Sequence, residues 1–223
     1  MKRKSTIALP ENFTVTAHTG CEKSKDNSID SLKVGCTSGA DIVEFDLNFD
    51  SQGNAVLSHN APVDGCATLD EAFGCIAKYE KIKVNVDVKK TDNLKAVVAC
   101  AEKYLLTERI FYTGIQQKDV SAVKQQTPSV SYYLNVAVDR KRKNNIEYLN
   151  SLADLVEQQG AIGINLNKRG CSEKLVELFH ERNLLVSVWT VNNRFEMQKI
   201  ISLAPDNITT RYPSKLKKLI EQF

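Results

Sequence analysis

Short apolar runs of β character alternate with amphipathic stretches along nearly the whole chain. Eight runs read as strands, at residues 13–17, 41–47, 83–88, 109–112, 129–134, 161–166, 185–191 and 207–210. Their β-branched and aromatic residues suit a pleated, buried surface. Between them, apolar positions recur at helical spacing: after Asp26-Asn27-Ser28, from Leu69 onward, and over 94–106, 120–125, 146–159, 172–182, 194–203 and 215–222. Start signals support this division. Thr68-Leu69-Asp70-Glu71 has the form of a capping box, Ser172-Glu173 opens the sixth helix, and Pro213 leads the chain into the last. Strands separated by helices imply parallel βαβ units, because a parallel neighbour can be reached only by a long crossover.

Eight strands with eight helices fit an α/β fold closed as a single (β/α)8 TIM barrel. A doubly wound open sheet would show fewer strands and a glycine-rich nucleotide loop, and neither G-x-G-x-x-G nor a P-loop is present. The 223 residues lie in the range that α/β barrels occupy as one unit, and no linker divides them, so 1–223 is expected to form one domain. An additional extended piece, Ala55-Val56-Leu57-Ser58-His59, reads as a hairpin excursion that carries His59 over the barrel mouth.

Charge narrows the functional classes. A net charge of +3, with 30 basic and 27 acidic residues, argues against a nucleic-acid footprint and against a disordered acidic tail. The dense basic run Arg140-Lys141-Arg142-Lys143 lacks interleaved aromatics and reads as a solvated loop. No apolar stretch approaches the roughly 20 residues that cross a bilayer, and residues 1–10 lack the apolar centre of a signal peptide. The expectation is a soluble, cytoplasmic protein, or an exported one if a leader has been removed. Six cysteines, at 21, 36, 66, 75, 100 and 171, form no Cys-x-x-Cys pair and read as free thiols; in an exported protein Cys66 and Cys75 could bridge a short loop.

The chemistry concentrates early in the chain. In a strand, residues two apart share a face, so Glu44 and Asp46 project together while Phe45 and Leu47 point to the helical layer. Asp87 and Lys89 repeat the spacing. His18 closes the first strand, and barrel enzymes place their reactive groups at the carboxyl ends of strands. Three carboxylates converging inside a barrel need a counter-charge, because burying an unpaired ion costs several kcal/mol or raises its pKa. Oxygen-only ligands select a hard divalent cation, Mg²⁺ or Ca²⁺, over zinc. With Lys89 near a phosphoryl oxygen, His18 and His59 remain as general base and general acid. His180, on a helix with no carboxylate pattern near it, is assigned a structural role. Trp189, the only tryptophan, is either barrel filling or an apolar wall for the substrate.

These residues resemble the glycerophosphodiester phosphodiesterase family, from Ala17-His18-Thr19-Gly20 through Gly39-Ala40-Asp41-Ile42-Val43-Glu44-Phe45-Asp46 and His59-Asn60 to Trp189-Thr190-Val191-Asn192 and Ile208-Thr209-Thr210-Arg211-Tyr212-Pro213. The resemblance implies a TIM barrel, a divalent metal held by Glu44, Asp46 and Asp87, and His18 and His59 as the acid/base pair. It also implies a small phosphodiester substrate, cleaved to glycerol 3-phosphate and an alcohol through attack by the neighbouring glycerol hydroxyl and a cyclic phosphate. The chain departs from the family in three places. His18-Thr19-Gly20 stands where His-Arg-Gly is usual, so Thr19 would meet the phosphate with a neutral hydroxyl in place of a guanidinium. Asp26-Asn27-Ser28 replaces Glu-Asn-Thr, and Asp87-Val88-Lys89 replaces Glu-x-Lys, leaving the third ligand one methylene shorter. The aspartate before lysine and the short segment 60–66 also resemble the spider-type phospholipases D, which cleave choline-bearing lipids. A second alternative is a weakly catalytic barrel that binds a phosphorylated ligand.

Overall fold

The computed structural model describes residues 9–222. Eight parallel strands close a barrel: β1 (Thr14–Ala17), β2 (Ile42–Phe49), β4 (Lys83–Val88), β5 (Ile110–Ile115), β6 (Tyr132–Asn135), β7 (Gly163–Asn167), β8 (Leu185–Trp189) and β9 (Asn207–Thr210). Closure is made by β1, which pairs with β2 on one side and β9 on the other. β3 (Ala55–Leu57) folds back antiparallel on β2, with Leu47 opposite Leu57, as the expected hairpin excursion. The helices α1 (Ile29–Thr37), α2 (Leu69–Ile76), α3 (Lys95–Lys103), α4 (Val120–Gln126), α5 (Ile146–Gln159), α6 (Glu173–Glu181), α7 (Arg194–Ile201) and α8 (Pro213–Ile220) cover the outside.

The two faces of each strand do different work. Residues facing the helices, such as Val43, Phe45, Leu47, Val84 and Val86, are buried in the apolar core, and Phe45 meets Phe73 of α2 edge to face. The lumen is instead polar and internally satisfied. Thr113 Oγ1 donates to Asn85 Oδ1 (2.8 Å), Asn165 Nδ2 to Asn135 Oδ1 (3.0 Å), and Asn207 Nδ2 to Thr16 Oγ1 (2.8 Å). Burying these groups is tolerable because each has a partner.

Helix starts follow the sequence signals. Thr68 and Glu71 exchange both bonds of a capping box, Ser28 and Ser172 cap α1 and α6, and Pro213 is the first residue of α8. Several strand boundaries differ from expectation by a few residues. β5 begins at Ile110, because Arg109 ends a 3-10 turn in which its backbone N–H donates to the Leu106 carbonyl (2.8 Å). β6 begins at Tyr132, after a turn closed by Val130 N–H on the Thr127 carbonyl (3.1 Å). All six cysteines are free thiols. His180 pairs with Asp206 (2.8 Å), which also accepts Val186 N–H (2.7 Å), so its place is structural. No helix among the described residues is long and apolar enough to cross a membrane.

Candidate active site

A cavity of about 330 Å³ opens at the carboxyl ends of the barrel strands, and His18, Glu44, Asp46, His59, Asp87, Lys89 and Trp189 all line it. Carboxylates from β2 and β4, set on the lumen face by the two-residue period of a strand, thus converge. One oxygen from each of Glu44, Asp46 and Asp87 lies within 4.8 Å of the others, a spacing that could hold a divalent cation.

Each carboxylate is positioned by something specific. Glu44 Oε2 accepts the Thr19 backbone N–H (2.8 Å) and lies 3.8 Å from His18 Nδ1. Asp46 is clipped by Asn27, whose Nδ2 donates to Asp46 Oδ2 (2.8 Å) while its Oδ1 accepts the Asp46 backbone N–H (3.0 Å). Pairing between β1 and β2 is confined to Ile42 and Val43; beyond it the Asn27 amide stands where a strand neighbour would be. Asn27 adopts φ +52, a left-handed conformation that asparagine tolerates. Thr113 Oγ1, whose proton goes to Asn85, also lies 3.2 Å from Asp87 Oδ1, and Gly114, at φ +79, leaves room where any Cβ would strike that same carboxylate and the Val88 backbone.

Lys89 Nζ lies 2.8 Å from Asp46 and 2.6 Å from Asp87. Burial works against its charge, but Asp87 and then Asp46 outweigh it and hold the ammonium above its ordinary range. For Glu44, burial raises the pKa, His18 partly offsets it, and the neighbouring carboxylates raise it further. Asp87 is also raised, by burial, despite Lys89. The carboxylates thus have less positive charge than their burial demands, and an all-oxygen donor set of this kind suits Mg²⁺ or Ca²⁺.

The histidines differ in setting. His18 Nδ1 is 2.7 Å from the Thr19 carbonyl, which can only accept, so Nδ1 carries the proton and Nε2 is left with the lone pair. His59 is exposed at the mouth, with Nδ1 3.1 Å from Asn60 Oδ1. The Asn60 backbone carbonyl is in turn held by Asn48 Nδ2 (2.8 Å) and Ser58 Oγ (2.9 Å). The Trp189 side chain lines the cavity, while its Nε1 is buried without a hydrogen-bond partner.

Thr19 does not take the expected place. Its side chain is 3% exposed and does not line the cavity, and its hydroxyl accepts the Asn27 backbone N–H (2.5 Å). The residue is consumed in building the loop that carries His18 and Asn27, so its hydroxyl is not presented to a ligand. Arg211 supplies no replacement guanidinium, since it is spent on Asp26 in a bidentate pair (2.9 and 3.0 Å) outside the cavity. The clamp by Asn27 escapes sequence reasoning, because a residue before a helix cap carries no local signal of such a role. Asn48 continues the period of Glu44 and Asp46 on one face of β2, a signal open to the same reading. Lys118 also lines the cavity, from the segment before α4, where nothing in the local pattern marks it.

Fold and site together place an acidic cluster that could hold a divalent cation, and two histidines, on one cavity of a (β/α)8 barrel. The family model for the glycerophosphoryl diester phosphodiesterase family matches residues 76–215. A glycerophosphodiester phosphodiesterase from Caldanaerobacter subterraneus subsp. tengcongensis is 22% identical, over 93% of this chain and 98% of its own length. Among solved structures, one from Silicibacter pomeroyi named for the glycerophosphoryl diester phosphodiesterases superposes with a TM-score of 0.80 at 16% identity, over 94% of this chain and 93% of the other. A phosphodiesterase from Oleispira antarctica, solved in complex with the product sn-glycerol-3-phosphate, gives a TM-score of 0.74 at 17% identity, covering 96% and 97% of the two chains. The chain belongs to the glycerophosphoryl diester phosphodiesterase family. It is an enzyme of that class, a phosphoric diester hydrolase acting on a small molecule.

Proposed function

We propose that the enzyme hydrolyses glycerophosphodiesters to glycerol 3-phosphate and an alcohol, with Glu44, Asp46 and Asp87 holding Mg²⁺ or Ca²⁺ and His18 and His59 moving the protons. The observation that carries this reading is the convergence of three carboxylate oxygens within 4.8 Å on a cavity also lined by both histidines. When bound, a hard divalent cation neutralises phosphoryl charge and acidifies an oxygen ligand.

The side chains then divide the remaining work. His18, with Nδ1–H committed to the Thr19 carbonyl, takes the proton of the attacking glycerol hydroxyl on Nε2. The O–P bond that forms closes a cyclic phosphate as the bond to the departing alcohol breaks. His59, at the open mouth, gives that alcohol its proton. In the second half the roles reverse. His59 takes a proton from the incoming water, the ring P–O bond opens, and His18 returns its proton to the freed hydroxyl. Lys89 stabilises negative charge spread over the phosphoryl oxygens, and the Trp189 side chain forms an apolar wall for the substrate.

The test is release of glycerol 3-phosphate from glycerophosphocholine and glycerophosphoethanolamine, compared in EDTA, Mg²⁺ and Ca²⁺. Restoration by a divalent cation is expected, and His59→Ala or Glu44→Gln should each lower turnover at least about a hundredfold while the fold persists. Full activity in either variant, or release indifferent to EDTA, would overturn the reading. Choline release from sphingomyelin in preference to glycerophosphocholine would move it to the lipid-cleaving relatives.

A further inference from the structure

The basic run read from the sequence as a solvated loop does not stand alone. The segment between β6 and α5 brings Arg140, Lys141 and Lys143 beside Lys168 and Arg169 of the β7–α6 segment and Lys199 of α7, around an open groove of about 810 Å³. Internal contacts account for only part of this charge. Lys168 pairs with Glu196 (2.5 Å), and Lys143 Nζ donates to the Cys171 carbonyl (3.2 Å). Asp139, the one carboxylate of the lining, accepts the Lys141 backbone N–H (2.9 Å). Arg140, Lys141, Arg169 and Lys199 are exposed and enter no ion pair among the described residues. In a chain of net charge +3 this is a local excess that the fold does not use.

A second observation concerns exposed apolar side chains. Among the large ones, Ile146 (55% exposed) and Phe195 (83%) stand in the segments that follow the parallel barrel strands β6 and β8. They therefore lie on the carboxyl-end face, where the catalytic cavity opens. Ile146 begins α5 directly after the basic run. Phe195 is in the first turn of α7, four residues before Lys199 and so on the same side of that helix. Cations beside protruding apolar residues on one face are the signature of a surface that lies on a lipid interface.

We propose that this face docks on an anionic lipid surface. Arg140, Lys141, Arg169 and Lys199 neutralise headgroup phosphates, while Ile146 and Phe195 enter the interface. Charge complementarity selects an anionic surface over a neutral one. The composition of the groove selects lipid over single-stranded nucleic acid, which needs aromatic platforms: the groove lining contains no aromatic residue. The nearby Tyr148 ring is already covered by Arg142, at 4.1 Å. Such docking would hold the catalytic mouth against the membrane.

The experiment is cosedimentation of the full chain with vesicles of phosphatidylcholine alone or with about a third phosphatidylglycerol, at about 0.1 M salt. Each cation at an anionic bilayer multiplies partitioning roughly fivefold. The wild type should therefore prefer the anionic vesicles at least about tenfold, and Arg140→Glu with Lys141→Glu should erase most of that preference. Phe195→Ser should lower binding severalfold without changing its salt dependence. Turnover of a water-soluble phosphodiester should be unchanged in both variants, separating docking from folding and catalysis. Equal binding to the two vesicles, no binding to either, variants that bind like the wild type, or tighter binding to a single-stranded RNA oligonucleotide would each overturn the proposal.

Discussion

Replacing Asn27 by alanine should damage both the stability of the fold and the response to metal, by separable amounts. The substitution removes the bond from Nδ2 to the Asp46 carboxylate (2.8 Å), of a kind worth about 1.5–3 kcal/mol. It also strands the Asp46 backbone N–H, which now donates to Asn27 Oδ1 (3.0 Å). A buried donor without a partner costs about 1–3 kcal/mol, although local relaxation recovers part of it. Alanine at φ +52 adds about 1 kcal/mol of backbone strain. A net loss of about 3 kcal/mol is expected, which for a chain of this size lowers Tm by about 6–12 °C.

The functional effect has a different origin. An Asp46 carboxylate freed from its clamp samples orientations that do not suit a cation, and loss of such a supporting contact typically weakens metal affinity about 10–100-fold. The assay is the metal concentration at half-maximal turnover, measured beside thermal unfolding. Asn27→Gly separates the contributions, because glycine accepts φ +52 without strain but provides no amide. It should recover the backbone part of the stability loss and none of the metal response. If Asn27→Gly responds to metal like the wild type, the clamp argument is wrong.

Two further outcomes follow from the same geometry. Gly114→Ala should cost on the order of 2–4 kcal/mol and weaken metal dependence, because at φ +79 a Cβ strikes Asp87 Oδ1 and the Val88 backbone; an unchanged Tm with normal activity would refute it. In EDTA the protein should become more stable as pH falls. Glu44 and Asp87 are held above their ordinary values by burial, so the folded state binds more protons; the Glu44 contribution is complete below about 4.5 and lost as pH rises toward about 7, and that of Asp87 runs in the same direction. Thermal melts should show this slope flattened by Mg²⁺ or Ca²⁺ and by Glu44→Gln, and a metal-free Tm that rises with pH over that window would contradict it.

How far the sequence reveals this enzyme depends on the range of each interaction. Alternation along residues 42–47 is a local property, and it places Glu44 and Asp46 in the lumen and Phe45 and Leu47 under the helices, as the structure has them. Capping at Thr68, Ser172 and Pro213 is equally local and equally legible. Boundaries slip where a short turn runs into a strand: Arg109 reads as β, but its backbone N–H closes a 3-10 turn on the Leu106 carbonyl. The Thr19 departure misleads because a longer-range contact decides it. Its alignment with a phosphate-binding arginine points to the cavity, but the left-handed turn at Asn27 brings a backbone N–H eight residues away onto its hydroxyl. Lys118 reaches the site only through barrel closure, and its neighbours in sequence are silent about it.

Charge balance links the cation site to the substrate. Ionised, Glu44, Asp46 and Asp87 carry three negative charges, and Lys89, bound to two of them, returns one positive charge. A divalent cation would bring the group to neutrality, so protonation of Glu44 or Asp87 would no longer be the cheapest way to relieve burial. Without the cation, Lys89 is the main counter-charge for Asp46 and Asp87, and its attraction to a phosphate is largely spent on them. With the cation, the same ammonium faces carboxylates that have a second partner, and more of its field reaches a phosphodiester in the cavity. Cation and substrate should therefore bind cooperatively through Lys89. That coupling gives physical content to the pairing of an acid and a lysine two residues apart at the end of one strand, because the lysine can serve the phosphate fully only when the acid has found another cation.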